Sequence, residues 1–157
     1  MSARTVLFSV LGIAVAGFGF VGGWPWLAAQ ISNADASATT VAQGKTLYAK
    51  HCATCHGAKL EGQRDWKSPL ASGRMPAPPH DASGHTWHHA DGVLFRVTKE
   101  GPAAVVGEGY QSNMQGFGNI MSDDDIRAVI AFIKSTWPER EREYQAEISR
   151  RERETTQ

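Results

Sequence analysis

The sequence predicts a mostly α-helical fold, and three observations carry that prediction. Residues 122–137 form a strongly patterned helix behind a capping serine. Residues 41–52 and 91–100 carry shorter helical patterns, separated by segments rich in Gly, Pro and Ser. The stretch Cys52-Ala53-Thr54-Cys55-His56 closes the first of these helices and contains the only two cysteines of the chain. Two cysteines two residues apart, followed at once by histidine, form the attachment pattern of a c-type haem. The thiols add to the porphyrin vinyl groups and the imidazole is offered to the iron.

The amino terminus stands apart. No charged residue lies between Arg4 and Asp35, and Val6 to Trp26 is apolar apart from Ser9 and scattered glycines. Two readings compete. A cleaved secretory signal has an apolar region of about 7–15 residues and a small-residue cleavage site, and Ala36-Ser37-Ala38 fits one. An uncleaved anchor needs about 20 apolar residues, which this run supplies, with Arg4 inside and Trp24 and Trp26 at the outer interface. Segment length favours the anchor; Gly17, Gly19, Gly22 and Gly23 weaken it as a helix. The expected division is a cytoplasmic start at 1–4, an anchor or uncleaved signal at 5–29, a linker at 30–40, a haem domain at 41–137 and a charged helical extension at 138–157. Either reading exports the haem motif, so the expected location is the periplasmic side of a bacterial inner membrane.

The remaining elements follow in order. Ile31 to Thr40 is small and polar and reads as a tether. In 41–52, Val41, Leu47 and Tyr48 share a helical face. Residues 57–90 read mostly as loop. Asp91–Glu100 reads as a short helix stopped by Gly101-Pro102, and 103–121 as loop again. Ser122 is a good N-cap, and Asp123, Asp124 and Asp125 place carboxylates in the first turn, where the helix dipole suits them. Met121 and Ile126 match a hydrophobic staple. Ile126, Val129, Ile130, Ile133 and Trp137 then recur on one side. Pro138 interrupts this helix or starts the next. Residues 139–154 alternate Arg and Glu and predict a solvated helix whose narrow apolar edge, Tyr144 and Ile148, rests on the domain.

Composition excludes some functions. With 16 basic and 16 acidic residues in 157, no basic excess points to nucleic acid. A redox Cys-x-x-Cys pair calls for a surrounding βαβ pattern, which is not visible. Structural zinc needs four ligands, usually from two knuckles, and no second cysteine pair exists.

With these pieces in place the chain resembles the class I cytochromes c, in particular the small bacterial monohaem type, from about Ala42 to Trp137. In that family a glycine and an aromatic precede the first cysteine by eight and four residues, as Gly44 and Tyr48 do here. The family's carboxy-terminal helix crosses the first helix with an aromatic pressed on that glycine; Phe132 matches it. A residue without a side chain lets two backbones cross closely, with Tyr48 and Val129 filling the space beside the crossing. The resemblance implies a class I cytochrome c fold of short helices wrapped around one covalently attached haem c.

It also implies the iron's ligands. Cys52 and Cys55 attach the porphyrin and His56 is the proximal ligand, its other ring nitrogen donating to a backbone carbonyl, with Pro76-Ala77-Pro78-Pro79 the candidate segment. A methionine opposite raises the potential. Met114 has the family's spacing, eight residues before Ser122; Met75 comes early and Met121 serves the staple. Gln115 stands where many relatives have proline, which bears on loop stiffness. The alternative for Met114 is a hydrophobe packed beside an open sixth position, or one taken by histidine.

The unusual feature is a histidine cluster: His80, His85, His88 and His89, with Trp87 among them. Its readings are polar loop residues near the haem propionates, a second copper or zinc site, or a histidine as sixth ligand. Arg64, Arg74 and Arg96 are candidates for pairing propionates.

The expected function is a one-electron carrier, not an enzyme, since two filled axial positions leave the iron no place for substrate. The expected partners are redox proteins (a respiratory complex, a periplasmic dehydrogenase or a terminal oxidase) and the membrane through the N-terminal segment. Rival readings are a peroxidase-like enzyme with a labile sixth ligand and an acid–base histidine, a metal-handling protein using the histidine loop, and a structural subunit docked through 139–154.

Overall fold

The computed structural model describes residues 24–156. Six α-helices follow in order: α1 Trp24–His51, α2 Ala53–His56, α3 Asp91–Glu100, α4 Pro102–Val106, α5 Asp123–Ser135 and α6 Glu139–Thr155. A single 3-10 turn, Thr86–His88, punctuates the long loop between α2 and α3. No β-strand occurs among the described residues, so the mostly α expectation holds.

The core is built where α1 crosses α5. A Cβ placed on Gly44 would lie 1.9 Å from the Ala128 carbonyl oxygen and 3.0 Å from the Phe132 Cβ, so only glycine permits this approach. The predicted neighbours fill the space beside it. Tyr48 and Val129 are buried, and the Tyr48 and Phe132 rings pack with centroids 5.4 Å apart. Helix α5 begins as its sequence demands: Ser122 accepts from the Asp125 amide, and Asp125 returns the contact to the Ser122 amide, a reciprocal capping box. Met121, Ile126, Val129, Ile133 and Trp137 join Tyr48, Leu60 and Phe117 in one cluster.

Helix α3 lies against α5 through charge. Lys99 meets Asp123 at 2.7 Å, Lys134 meets Asp91 at 2.6 Å, and the Arg127 guanidinium sits 4.6 Å from the centre of the Phe95 ring.

Two expectations need correction, and a third needs extending. The tether at 31–40 is helical, as α1 runs unbroken from Trp24. No Pro or Gly interrupts residues 27–43, and several alanines favour the helix. Residues 103–106, expected as loop after the Gly101-Pro102 stop, belong to α4, because Pro102 at its first turn arrives with helical φ already set. Helix α6 is seated by more than its apolar edge. Tyr144 is 50% exposed but meets Trp87 with ring centroids 5.4 Å apart, and Ile148 is half-buried; the fully buried residues are Glu141, Gln145 and Ser149, four apart along one face.

That polar face does a specific job. Ala90 offers no side chain to cap α3. The orphaned amides of the first turn are served from α6 instead: Asp91 donates to Ser149 Oγ at 3.0 Å and Gly92 to Glu152 Oε2 at 3.0 Å. Gln145 Nε2 donates to Asp91 Oδ1 at 2.8 Å and to the His89 carbonyl at 3.2 Å. The outer face of α6 carries its own ion pairs, Glu147 with Arg150 and Arg151.

The expected membrane segment, 5–29, lies almost wholly outside the described residues. Among the described residues, no helix is long and apolar enough to cross a membrane.

Candidate metal centre

Helix α1 ends at His51, and the motif winds directly into the single turn of α2. The amides of Cys55 and His56 both donate to the Cys52 carbonyl. Gly57, at a φ of 82°, turns the chain away. The hydroxyl of Tyr48 reaches the freed carbonyls at the end of this turn, donating to Gly57 at 3.1 Å and to His56 at 3.3 Å. Burial, then the nearby Cys52, Glu61 and Asp81 charges, raise the phenol far above its usual range, so it stays a donor.

His56 is buried, and its Nδ1–H donates to the Pro78 carbonyl at 2.8 Å. The acceptor thus comes from the proline-rich segment, as expected. This bond fixes the tautomer and leaves Nε2 with a free lone pair. Burial lowers the imidazole pKa, against a smaller opposing effect of the Pro78 carbonyl, so the ring is neutral and a competent ligand.

Both thiols are free, Cys52 half-buried and Cys55 exposed. Burial, with the neighbouring Cys55, pushes the Cys52 thiol up to about 11. Redox Cys-x-x-Cys pairs need the opposite, a thiolate stabilised near or below neutrality, so the dithiol reading loses its chemistry. Among the described residues no group of three or more His, Cys, Asp or Glu is arranged to hold a metal ion, which leaves the zinc reading and the second-metal reading of the histidines without a constellation.

Met114 packs, partly buried, against the same core that Cys52, Ala53, Trp87, Leu94 and Phe95 border. Its loop is held on the far side by α3: Phe117 and Gly118 donate to the Thr98 and Lys99 carbonyls at 3.0 and 2.9 Å. These are the carbonyls that the end of α3 leaves unpaired. Met114 itself donates through its amide to Ser112 Oγ at 3.0 Å.

The donor set fits a c-type haem: an oriented neutral imidazole, two free thiols at the required spacing and a thioether on the same core. His80 Nδ1 has no hydrogen-bond partner although it is shut from solvent, and its ring stacks on His56 with centroids 3.9 Å apart. A ring so placed lies on the candidate ligand imidazole itself, which counts against His80 as a ligand opposite it. It is held by packing: Trp137 Nε1 donates to the His80 carbonyl at 2.7 Å. Burial, then His56 and His85, depress its pKa strongly.

The other histidines make ring contacts. His85 stacks on Trp66 at 5.3 Å, and His89 meets the edge of His85 at 5.4 Å. His88 packs on Trp87 at 3.8 Å and near Tyr144 at 5.8 Å. Of the three candidate arginines, Arg96 pairs with Glu100 on the outside of α3 and Arg64 is exposed. Arg74 reaches the Met114 loop, donating to Asn113 Oδ1 at 2.7 Å and Gln111 Oε1 at 3.4 Å.

Sequence reasoning missed the stacking of His80 on His56, the Arg74 contacts and the capping role of α6. The last had a signal: Gln145 and Ser149 are uncharged residues four apart in an Arg/Glu alternation.

The comparisons agree with this chemistry. The Cytochrome c family model matches residues 41–137, more than half of the chain. The chain is also similar to the cbb3-type cytochrome c oxidase subunit FixP of Azorhizobium caulinodans, with 29% identity over 94 residues, 60% of this chain and 28% of that subunit. It therefore spans less than a third of that relative's length. No solved structure gives a significant match. The chain belongs to the cytochrome c family: it is a c-type cytochrome, with covalently bound haem c.

Proposed function

We propose that the protein is a monohaem one-electron carrier on the periplasmic side of a bacterial inner membrane, passing electrons to or from a respiratory complex. The observation that carries this reading is the His56–Pro78 hydrogen bond, which readies a neutral imidazole directly beside both thiols.

The haem iron supplies the one-electron couple. The chain does the rest. Cys52 and Cys55 would hold the porphyrin at the turn of α2, and His56 and Met114 would hold the iron, which would leave no coordination site for a substrate. That argues for a carrier over an enzyme. The hydrophobic cluster around Tyr48, Phe117 and Ile126 keeps water from one side of the site, and a thioether ligand in such a setting raises the potential. The balanced charge of the chain favours short, weakly steered encounters.

The likeness to an oxidase subunit supports a terminal oxidase as the electron acceptor. The apolar run at 5–29 supports attachment to the membrane, with 41–137 as the haem domain and 138–157 as its helical extension.

A spectroelectrochemical titration of the holoprotein, with carbon monoxide added to the reduced form, tests this reading. A carrier titrates reversibly as a single one-electron couple and takes up no carbon monoxide on mixing. Rapid uptake by the as-isolated protein contradicts it and favours a haem catalyst. Washed membranes should retain the protein, and a mature mass starting near Thr39 would rule out the anchor.

A further inference from the structure

We propose that Arg74 is a positioning residue for the sixth-ligand loop: its guanidinium ties Gln111 and Asn113 to the same short segment that fixes His56, and so keeps Met114 in place. The inference rests on Met114 as the axial ligand.

The geometry is a bridge between the two axial ligands. Residues 74–78 are one short stretch, anchored where Gln63 donates through its amide to the Ala77 carbonyl at 2.9 Å and the Ala77 amide donates to Gln63 Oε1 at 2.8 Å. One end, Pro78, accepts from His56 Nδ1 at 2.8 Å. The other end, Arg74, sits at the mouth of a tight turn that its own carbonyl closes by accepting from Leu70 at 2.9 Å. From there its Nη1 donates to Asn113, the residue before Met114, and its Nε to Gln111.

The loop needs this hold on one side only. After Met114 the chain is fixed to α3 through Phe117 and Gly118. Before it, the other hydrogen bonds among the described residues are local: Tyr110 donates to Gly107 at 2.9 Å and Met114 to Ser112 at 3.0 Å. That side also carries positive φ at Gly107, Glu108 and Gly109, with open space around both glycines. Residue 115 is glutamine, so no pyrrolidine ring stiffens the chain after the ligand. A two-pronged guanidinium is suited to hold such a loop, because its fork is planar and stays charged.

Both partners of Arg74 are neutral amide oxygens, so its charge is not cancelled there. A rival role follows from that: the charge faces a haem propionate and sets the potential without holding the loop. The two roles separate in kinetics.

The test uses holoprotein with Arg74→Ala, Arg74→Lys, Asn113→Ala and the Arg74→Ala/Asn113→Ala pair. The readouts are the rate at which imidazole displaces the native sixth ligand from ferric protein, the far-red sulfur-to-iron band, and the midpoint potential. Losing a hydrogen bond from a charged donor should speed displacement about tenfold in Arg74→Ala. Arg74→Lys recovers part of that, and the double variant is no faster than Arg74→Ala alone, since Asn113→Ala removes a contact that Arg74→Ala already lacks. Wild-type displacement rates in both Arg74→Ala and Asn113→Ala, or additive effects in the double variant, overturn the proposal. So does a shifted potential with unchanged displacement, which assigns Arg74 to a propionate. If the wild-type protein itself lacks the sulfur band, the assignment of Met114 fails first, and the role of Arg74 falls with it.

Discussion

Gly44 packs directly against the Ala128 carbonyl: a single added carbon on Gly44 would lie 1.9 Å from that oxygen. The crossing of α1 and α5 sets the position of the haem motif, because Cys52 follows Gly44 by little more than two helical turns. Gly44→Ala brings better helix propensity, about 1 kcal/mol, but forces the helices apart. The expected net outcome is destabilisation of about 1–3 kcal/mol, read as a lower urea midpoint at unchanged slope.

This crossing was legible in the sequence because its signals are local and periodic. Gly44 and Tyr48 sit at fixed offsets from Cys52, and Ser122 with Asp125 announces α5 before any packing is considered. The His56 acceptor was legible for a similar reason, as a proline-rich segment is extended and presents its carbonyls. Contacts that join distant loops left no such trace. Arg74 meets Asn113 across 39 residues, and nothing periodic marks either partner. The seat of α6 was hidden by the strength of the Arg/Glu pattern, which reads as solvated whichever face is buried. The helical state of residues 31–40 was obscured by small polar residues that suit a linker and a helix alike.

The cap that α6 supplies to α3 can be measured directly. Ser149→Ala leaves the Asp91 amide without its acceptor. A lost helix cap costs about 1 kcal/mol, and protection of the α3 amides in hydrogen exchange should fall while the α1–α5 amides keep theirs. Equal loss in both helix sets would contradict a local capping role.

Asp91 couples that same junction to pH. Burial alone would raise its carboxyl, but hydrogen bonds from Lys134 and Gln145, the Lys134 charge and Ser149 together hold it below its ordinary value. A depressed folded pKa means stability that is fully present above the unfolded carboxylate value of about 4. That stability is lost as pH falls through the lower folded value. Lys134→Met should therefore reduce stability at neutral pH and flatten the acid limb of the stability–pH curve. An acid limb as steep as in the wild-type protein would show that other carboxylates carry it.

Haem attachment and sixth-position ligation rest on Cys52, Cys55 and Met114, and one optical experiment reaches all three. Holoprotein matured in an export-competent host is stripped with acid acetone and its pyridine haemochrome recorded; untreated ferric protein is scanned in the far red, alone and with Met114→Ala. The predicted result is a pigment that stays with the polypeptide, with a haem c spectrum, and a sulfur-to-iron band that vanishes in Met114→Ala. Extractable pigment would contradict attachment at Cys52 and Cys55, and a band that survives the loss of Met114 would contradict it as the sixth ligand.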